Sequence, residues 1–192
     1  MFVYARESQA ASRVVKELLG EEGPFHEAID LNSELRGRFS LNLAKADPEA
    51  GLRCLQRTIG TVNGDELKSF REGRRWIVWA LESMVLWRDL FPDSARLLLL
   101  LAEAENESWS NSATGIFVRI FSNGWGPLAS TEASPEERFP VLKEALDSNS
   151  KACRMLAVKA CDAALETRNF FRAVGAEHQG LRSEPRFWQP KT

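Results

Sequence analysis

Glu103, Glu105 and Glu107, together with Glu136 and Glu137, are the grouped carboxylates of this chain. Acid–base catalysis needs two carboxyls held in different environments. Glu136 and Glu137 fall in a first helical turn, where they offset the helix dipole. Glu103 to Glu107 crowd a helix C-terminus, where the dipole disfavours negative charge. A loop salt bridge or a partner's basic group would compensate them. Nucleophilic chemistry has less to build on. Cys153 lies on an apolar helix face, where burial raises the thiol pKa, so it reads as a packed core residue. The only histidines are His26 and His178, which leaves a histidine-rich zinc site without ligands.

The phosphate-cradling G-x-x-x-x-G-K-S/T motif is absent, as are G-x-G-x-x-G, G-x-S-x-G and H-E-x-x-H. Ser148-Asn149-Ser150-Lys151 matches S-x-x-K but lacks the companion motifs, and its serines read as helix caps. Arg71-Glu72-Gly73-Arg74-Arg75 could contact phosphate. The enclosed glutamate and the balanced charge of the chain favour a solvated helix start instead. The six tryptophans divide into two groups. Trp76, Trp79 and Trp87 lie on one apolar helix and read as core. Trp109, Trp125 and Trp188 lie in loops or the tail, where such residues anchor interfaces or fold back onto helix ends. The candidate partner-binding residues are therefore Glu105, Trp109, Asn111, Trp125 and Trp188; no catalytic, cofactor-binding or metal-ligating residue is expected.

The elements that position these residues are helical throughout. Pro48, Pro92 and Pro135 are spaced by about 43 residues, within the range of HEAT-type repeats. Asp47-Pro48 and the capping box Ser134-Pro135-Glu136-Glu137 are well-formed helix starts. Pro92 follows Phe91 and lacks a side-chain cap. The first pair opens with Ser8–Leu19, whose inner residues are Ala11, Val14, Val15, Leu18 and Leu19. A turn around Phe25–Leu31 precedes a helix through Leu35, Phe39 and Leu43. The second pair contains a short turn at Asp65–Phe70 and a central helix, Arg74–Phe91, apolar over most of its surface. The third carries five leucines from Leu97 to Leu101, then a helix at Thr114–Ser122. In the fourth, Phe139, Leu142 and Leu146 supply one inner face. Cys153, Leu156, Ala157, Ala160 and Ala164 supply the other. Pro140 sits inside a helix, and Asn169–Gly175 forms a further short one.

The chain has 192 residues, 44% of them hydrophobic and 27% charged, with a net charge of −2. This gives no general drive toward nucleic acid or anionic membrane. Three cysteines without C-x-x-C spacing fit a reducing, cytoplasmic setting. The first residues lack the basic and apolar regions of a signal peptide, and no apolar run is long enough to span a bilayer.

The segments AENESWSNSATGIFVRIFSNGWGPLASTEASPEERFPVLKEAL and GAEHQGLRSEPRFWQPKT resemble parts of large bacterial STAND-type proteins, in which a P-loop ATPase precedes a long helical-repeat region. The resemblance covers residues 30–192. It implies a repeat or sensor region of a longer protein. The ATPase motif is absent from this chain, so neither nucleotide hydrolysis nor any catalytic residue carries over.

The expectation is one all-α domain over residues 1–175: a HEAT-like α-α superhelix with pairs at 8–46, 47–91, 92–122 and 134–167. An irregular tail spans 176–192. The expected function is non-catalytic: a sensor or scaffold that binds a protein partner or the adjoining domains of a larger chain. One alternative is a HEAT-like nucleic-acid-binding module or a DNA glycosylase-like enzyme on the same scaffold, which would need a basic concave face around a carboxylate. Another is a purely structural spacer.

Overall fold

A computed structural model describes residues 8–166 and 179–190. The expected helix at Asn169–Gly175 and His178 lie outside these residues. Within them the chain forms ten α-helices and one 3-10 turn, with no strand. α1 is Gln9–Leu19, α2 Ala28–Leu31, α3 Glu34–Ala46, α4 Pro48–Thr58 and α5 Gly64–Ser69. α6 is Arg74–Met84, α7 Phe91–Glu103, α8 Ala113–Arg119, α9 Pro135–Leu146 and α10 Lys151–Leu165. The 3-10 turn is Gly126–Leu128.

Helix starts follow local chemistry. Asp47 accepts a hydrogen bond from the Ala50 amide and Pro48 follows in the first turn. Ser134 and Glu137 close a complete capping box on α9. α7 begins without a side-chain cap, as its Phe91-Pro92 start implies.

The helices pack in register. α1 packs on α4, α4 on α7 and α7 on α9, while α3 packs on α6, α6 on α8 and α8 on α10. The contacts α1–α3, α4–α6, α7–α8 and α9–α10 join the two rows. One apolar cluster runs from Val15 and Leu19 in α1 to Leu156, Ala157 and Ala160 in α10. α3 and α6 approach closely at Gly37 and Gly73. A Cβ on Gly73 would lie 1.8 Å from the Leu31 carbonyl oxygen, so this start of α6 tolerates only glycine.

Several expectations need correction. Arg74–Phe91 is two elements, because the chain turns between Met84 and Phe91. Pro92 lacks an amide hydrogen, which costs nothing in the first turn of α7 but would remove a bond and crowd the preceding turn inside a helix continued from α6. The Leu86 carbonyl in this turn accepts from the Glu132 amide (2.9 Å) and the Thr131 hydroxyl (3.1 Å). α8 ends three residues before Ser122. Val14, Leu35 and Phe139 face outward, and Val15, Leu43, Val141 and Ala145 take the inner positions. Of the three tryptophans read as core, only Trp87 is buried; Trp76 and Trp79 are half-buried at the edge.

Arg74, read as solvated, is completely buried. Its guanidinium donates to the carbonyls of Leu67, Leu101 and Ala104, the last two at the end of α7. Arg138 does the same for α8, donating to Ile120 O and Ser122 O, each at 2.9 Å. Burial pulls its pKa down to about 10. Arg57 closes α1 through Leu19 O, Gly20 O and Phe25 O. Cations fit helix C-termini because the last carbonyls lack intrahelical donors and carry the negative end of the dipole.

Residues 179–190 lack regular structure but are docked. Gln179, 1% exposed, accepts from Trp87 Nε1 (2.9 Å) and donates to Ser83 O (3.0 Å). Arg182 pairs with Glu49 and Asp89 and lies 4.8 Å from the Trp87 ring centroid. Further on, Trp188 donates to Thr131 O (3.3 Å) and accepts from the Gly126 amide (2.8 Å). Residues 179–190 are thus a strap joining α4, the α6–α7 turn and the segment before α9.

Candidate functional site

The five candidate residues fall in two places. Glu105, Trp109 and Asn111 belong to the connection between α7 and α8. Trp125 and Trp188 lie at the far end of the strap, where the amide of Gly126, next to Trp125, donates to the Trp188 carbonyl.

Glu105 is turned inward. One carboxylate oxygen accepts from the Asn106 and Glu107 amides, each at 3.1 Å, and the other from the Thr114 amide at 2.9 Å. Arg74 Nε lies 3.7 Å away. The acidic crowding after α7 is therefore relieved by a loop salt bridge, and Glu105 shapes the connection. Asn106 ties it to the α5–α6 link by donating to Lys68 O (2.7 Å) and Phe70 O (3.1 Å). Asn32 fixes that link from the other side, accepting from the Arg71 and Glu72 amides at 3.0 Å.

These anchors frame a groove of about 670 Å³ between the start of α6 and the 106–109 segment. Trp76 and Trp109 supply its aromatic surface, with Arg71, Arg75, Glu72 and Glu107 among its polar lining. Trp109 is 47% exposed. The Arg75 guanidinium lies 4.3 Å from its ring centroid and 6.0 Å from that of Trp79. Such stacking is worth ~0.5–1 kcal/mol at exposed sites. Trp76 and Trp79 meet edge to face at 5.3 Å. Asn111 is half-buried in the turn that follows Trp109.

The second place is less enclosed. Trp125 is 62% exposed beside Gly126, whose φ of 60° suits glycine. Trp188 is half-buried and held by its backbone.

Sequence reasoning missed Arg75 and Trp76 as groove residues, having placed one on a solvated start and the other in the core. The i, i+4 spacing of Arg75 and Trp79 was the signal for a stacked pair. It also missed Gln179 and Arg182, for which the tail sequence offers no periodic cue. Burial raises the thiol pKa of Cys54 and of Cys153, which disfavours the thiolate that nucleophilic chemistry needs.

Comparison with known proteins finds no matching family model, no matching curated protein and no matching solved structure.

Proposed function

We propose that this chain is a protein-interaction module, a HEAT-like stack of four helical pairs that docks a partner protein in the groove between Trp76 and Trp109. The ladder of contacts along both helix rows supports the stacked-repeat reading. The observation that carries the function is the exposed Trp109, stacked on Arg75 at the rim of a groove whose frame is held by the hydrogen bonds of Glu105, Asn106 and Asn32. Exposed aromatic and arginine side chains on a rigid frame are the usual anchors of protein interfaces. Glu34, Glu72 and Glu107 line the groove beside Arg71 and Arg75. Three carboxylates against two guanidiniums suit a mixed-charge protein surface better than a phosphodiester backbone. In a longer STAND-type protein, docking here would bear on α3, α6 and the end of α7, and so on the packing between pairs. The three free cysteines agree with a cytoplasmic setting.

The test is a photo-crosslinking amino acid at Ser108, on the groove rim, with a second version at exposed Arg13 as control. A discrete protein adduct is expected from position 108 and not from 13. Trp109→Ala should lower affinity for that partner by about 2 kcal/mol with the helical content unchanged. An adduct pattern common to both positions, or one indifferent to Trp109→Ala, would reject the groove as the docking site.

A further inference from the structure

The outer face of α10 carries an uncovered apolar stripe. Met155 is 51% exposed, Val158 54% and Leu165 81%. Spacings of three and seven residues put these side chains along one line of the helix.

The charges around the stripe are arranged against the helix's own dipole. α3, α4, α5 and α9 each place acidic residues in the first turn and a basic residue in the last. α10 has no acidic residue in its first turn and no basic residue in its last. It opens with Lys151 and Arg154 and closes with Asp162 and Glu166. Each placement weakens an isolated helix. Arg154 is partly accommodated by donating to Ser148 O at 2.7 Å. Lys151 and Asp162 are both exposed on the line of the stripe.

This pattern is self-complementary in one arrangement. Lys151 and Asp162 lie equally far on either side of the midpoint between Met155 and Val158. We propose that α10 is a homodimer interface, pairing antiparallel with α10 of a second copy about a two-fold axis through that midpoint. Met155 then faces Val158 of the second copy, and Lys151 faces its Asp162, each contact occurring twice, as an isologous interface requires. Antiparallel pairing also sets each helix's positive end beside the other's negative end, which offsets the reversed charges of both. One helix face is smaller than the ~1,200 Å² or more that stable interfaces bury, so the dimer is expected to be weak and to dissociate on dilution.

The test is sedimentation equilibrium of the full chain from about 10 μM to about 1 mM. The wild type should show a monomer–dimer equilibrium. Lys151→Glu alone and Asp162→Lys alone should each raise the dissociation constant at least about tenfold, because each puts like charges opposite one another twice. Mixing the two variants should restore wild-type affinity as a heterodimer, since every pair is then complementary. Both substitutions improve α10's match to its own dipole, so each variant should melt no lower than wild type. This separates lost association from lost folding. A monomeric wild type at the top concentration, as expected if another protein covers this face, would overturn the proposal. So would a mixture of variants that stays monomeric, or dimerisation unaffected by Val158→Asp.

Discussion

Replacing Arg74 by methionine keeps most of the aliphatic length of the side chain and removes the guanidinium. The structure gives the terms. Three hydrogen bonds to carbonyl oxygens disappear, to Leu67, Leu101 and Ala104, and so does the ion pair with Glu105. Hydrogen bonds from a charged donor contribute about 1.5–3 kcal/mol each. Against this, methionine relieves the cost of burying a charge, several kcal/mol in a protein interior. Removing one member of a buried ionic contact costs about 3–5 kcal/mol on balance. Glu105 is 20% exposed at its side chain, so water reaches the carboxylate left behind. That places the expected loss near the lower end, about 3 kcal/mol.

Urea unfolding measures this directly: the midpoint falls while the slope stays constant. Arg71→Met, at an exposed position three residues earlier, serves as control and should move stability by no more than about 0.5 kcal/mol. Hydrogen exchange supplies a local readout. Arg74 holds Glu105, and Glu105 holds the amides of Asn106, Glu107 and Thr114. These three amides should exchange faster in the methionine variant by more than the global loss accounts for. A loss under about 1 kcal/mol with unchanged exchange would refute the reasoning. It would mean that the desolvation of Arg74 cancels its bonds and that the loop stands without it.

The strap should respond to acid. Asp89 is held below the usual carboxylate range, chiefly by its hydrogen bonds with Arg182. A depressed folded pKa contributes stability that is fully present above the unfolded value of about 3.9 and lost as pH falls through the folded value. Trp87 fluorescence should therefore change below about pH 4 as the strap loosens, and Arg182→Ala should show the loosened signal at neutral pH with no acid step. Ser134→Ala removes the cap at the start of α9 and should cost about 1 kcal/mol in urea unfolding, while the same change at exposed Ser69 should cost little.

What the sequence revealed was local chemistry. Asp47-Pro48 and Ser134-Pro135-Glu136-Glu137 start helices where they stand because the capping atoms lie within a few residues of the amides they satisfy. The break after Met84 was hidden, since residues 85–90 contain no glycine and are largely apolar. The turn is a largely buried corner, held by Thr131 and Glu132 from a distant segment, and Pro92 falls where it suits the first turn of α7. The arginine caps were hidden for the same reason. Arg74 reaches the end of α7 some 30 residues away, and nothing near it marks the carbonyls it will meet. Gln179 and Arg182 find partners 92 and 133 residues back along the chain, so this segment looked irregular although those two side chains hold it in place. Trp109 was legible as a loop tryptophan, but its stacking on Arg75 depends on how α6 meets the connection after α7.

The adjacent residues Arg74 and Arg75 explain how that meeting is achieved. Neighbours on a helix point about 100° apart. Arg74 therefore goes inward, to the carbonyls that end α7 and to Glu105, while Arg75 goes outward, to the Trp109 ring. α7 needs the first of these. Its last turn has no basic residue and is followed by Glu105 and Glu107. The charge that offsets this acidic end comes from α6, so the position of the loop is tied to the packing of α6 against α7. The second contact is exposed and worth ~1 kcal/mol at most. Under the docking proposed above, a partner would displace Arg75 from Trp109 at that small cost while Arg74 keeps the loop in place. The groove thus combines a held frame with one exposed, weakly held side chain, and the frame is coupled to the packing of α6 against α7.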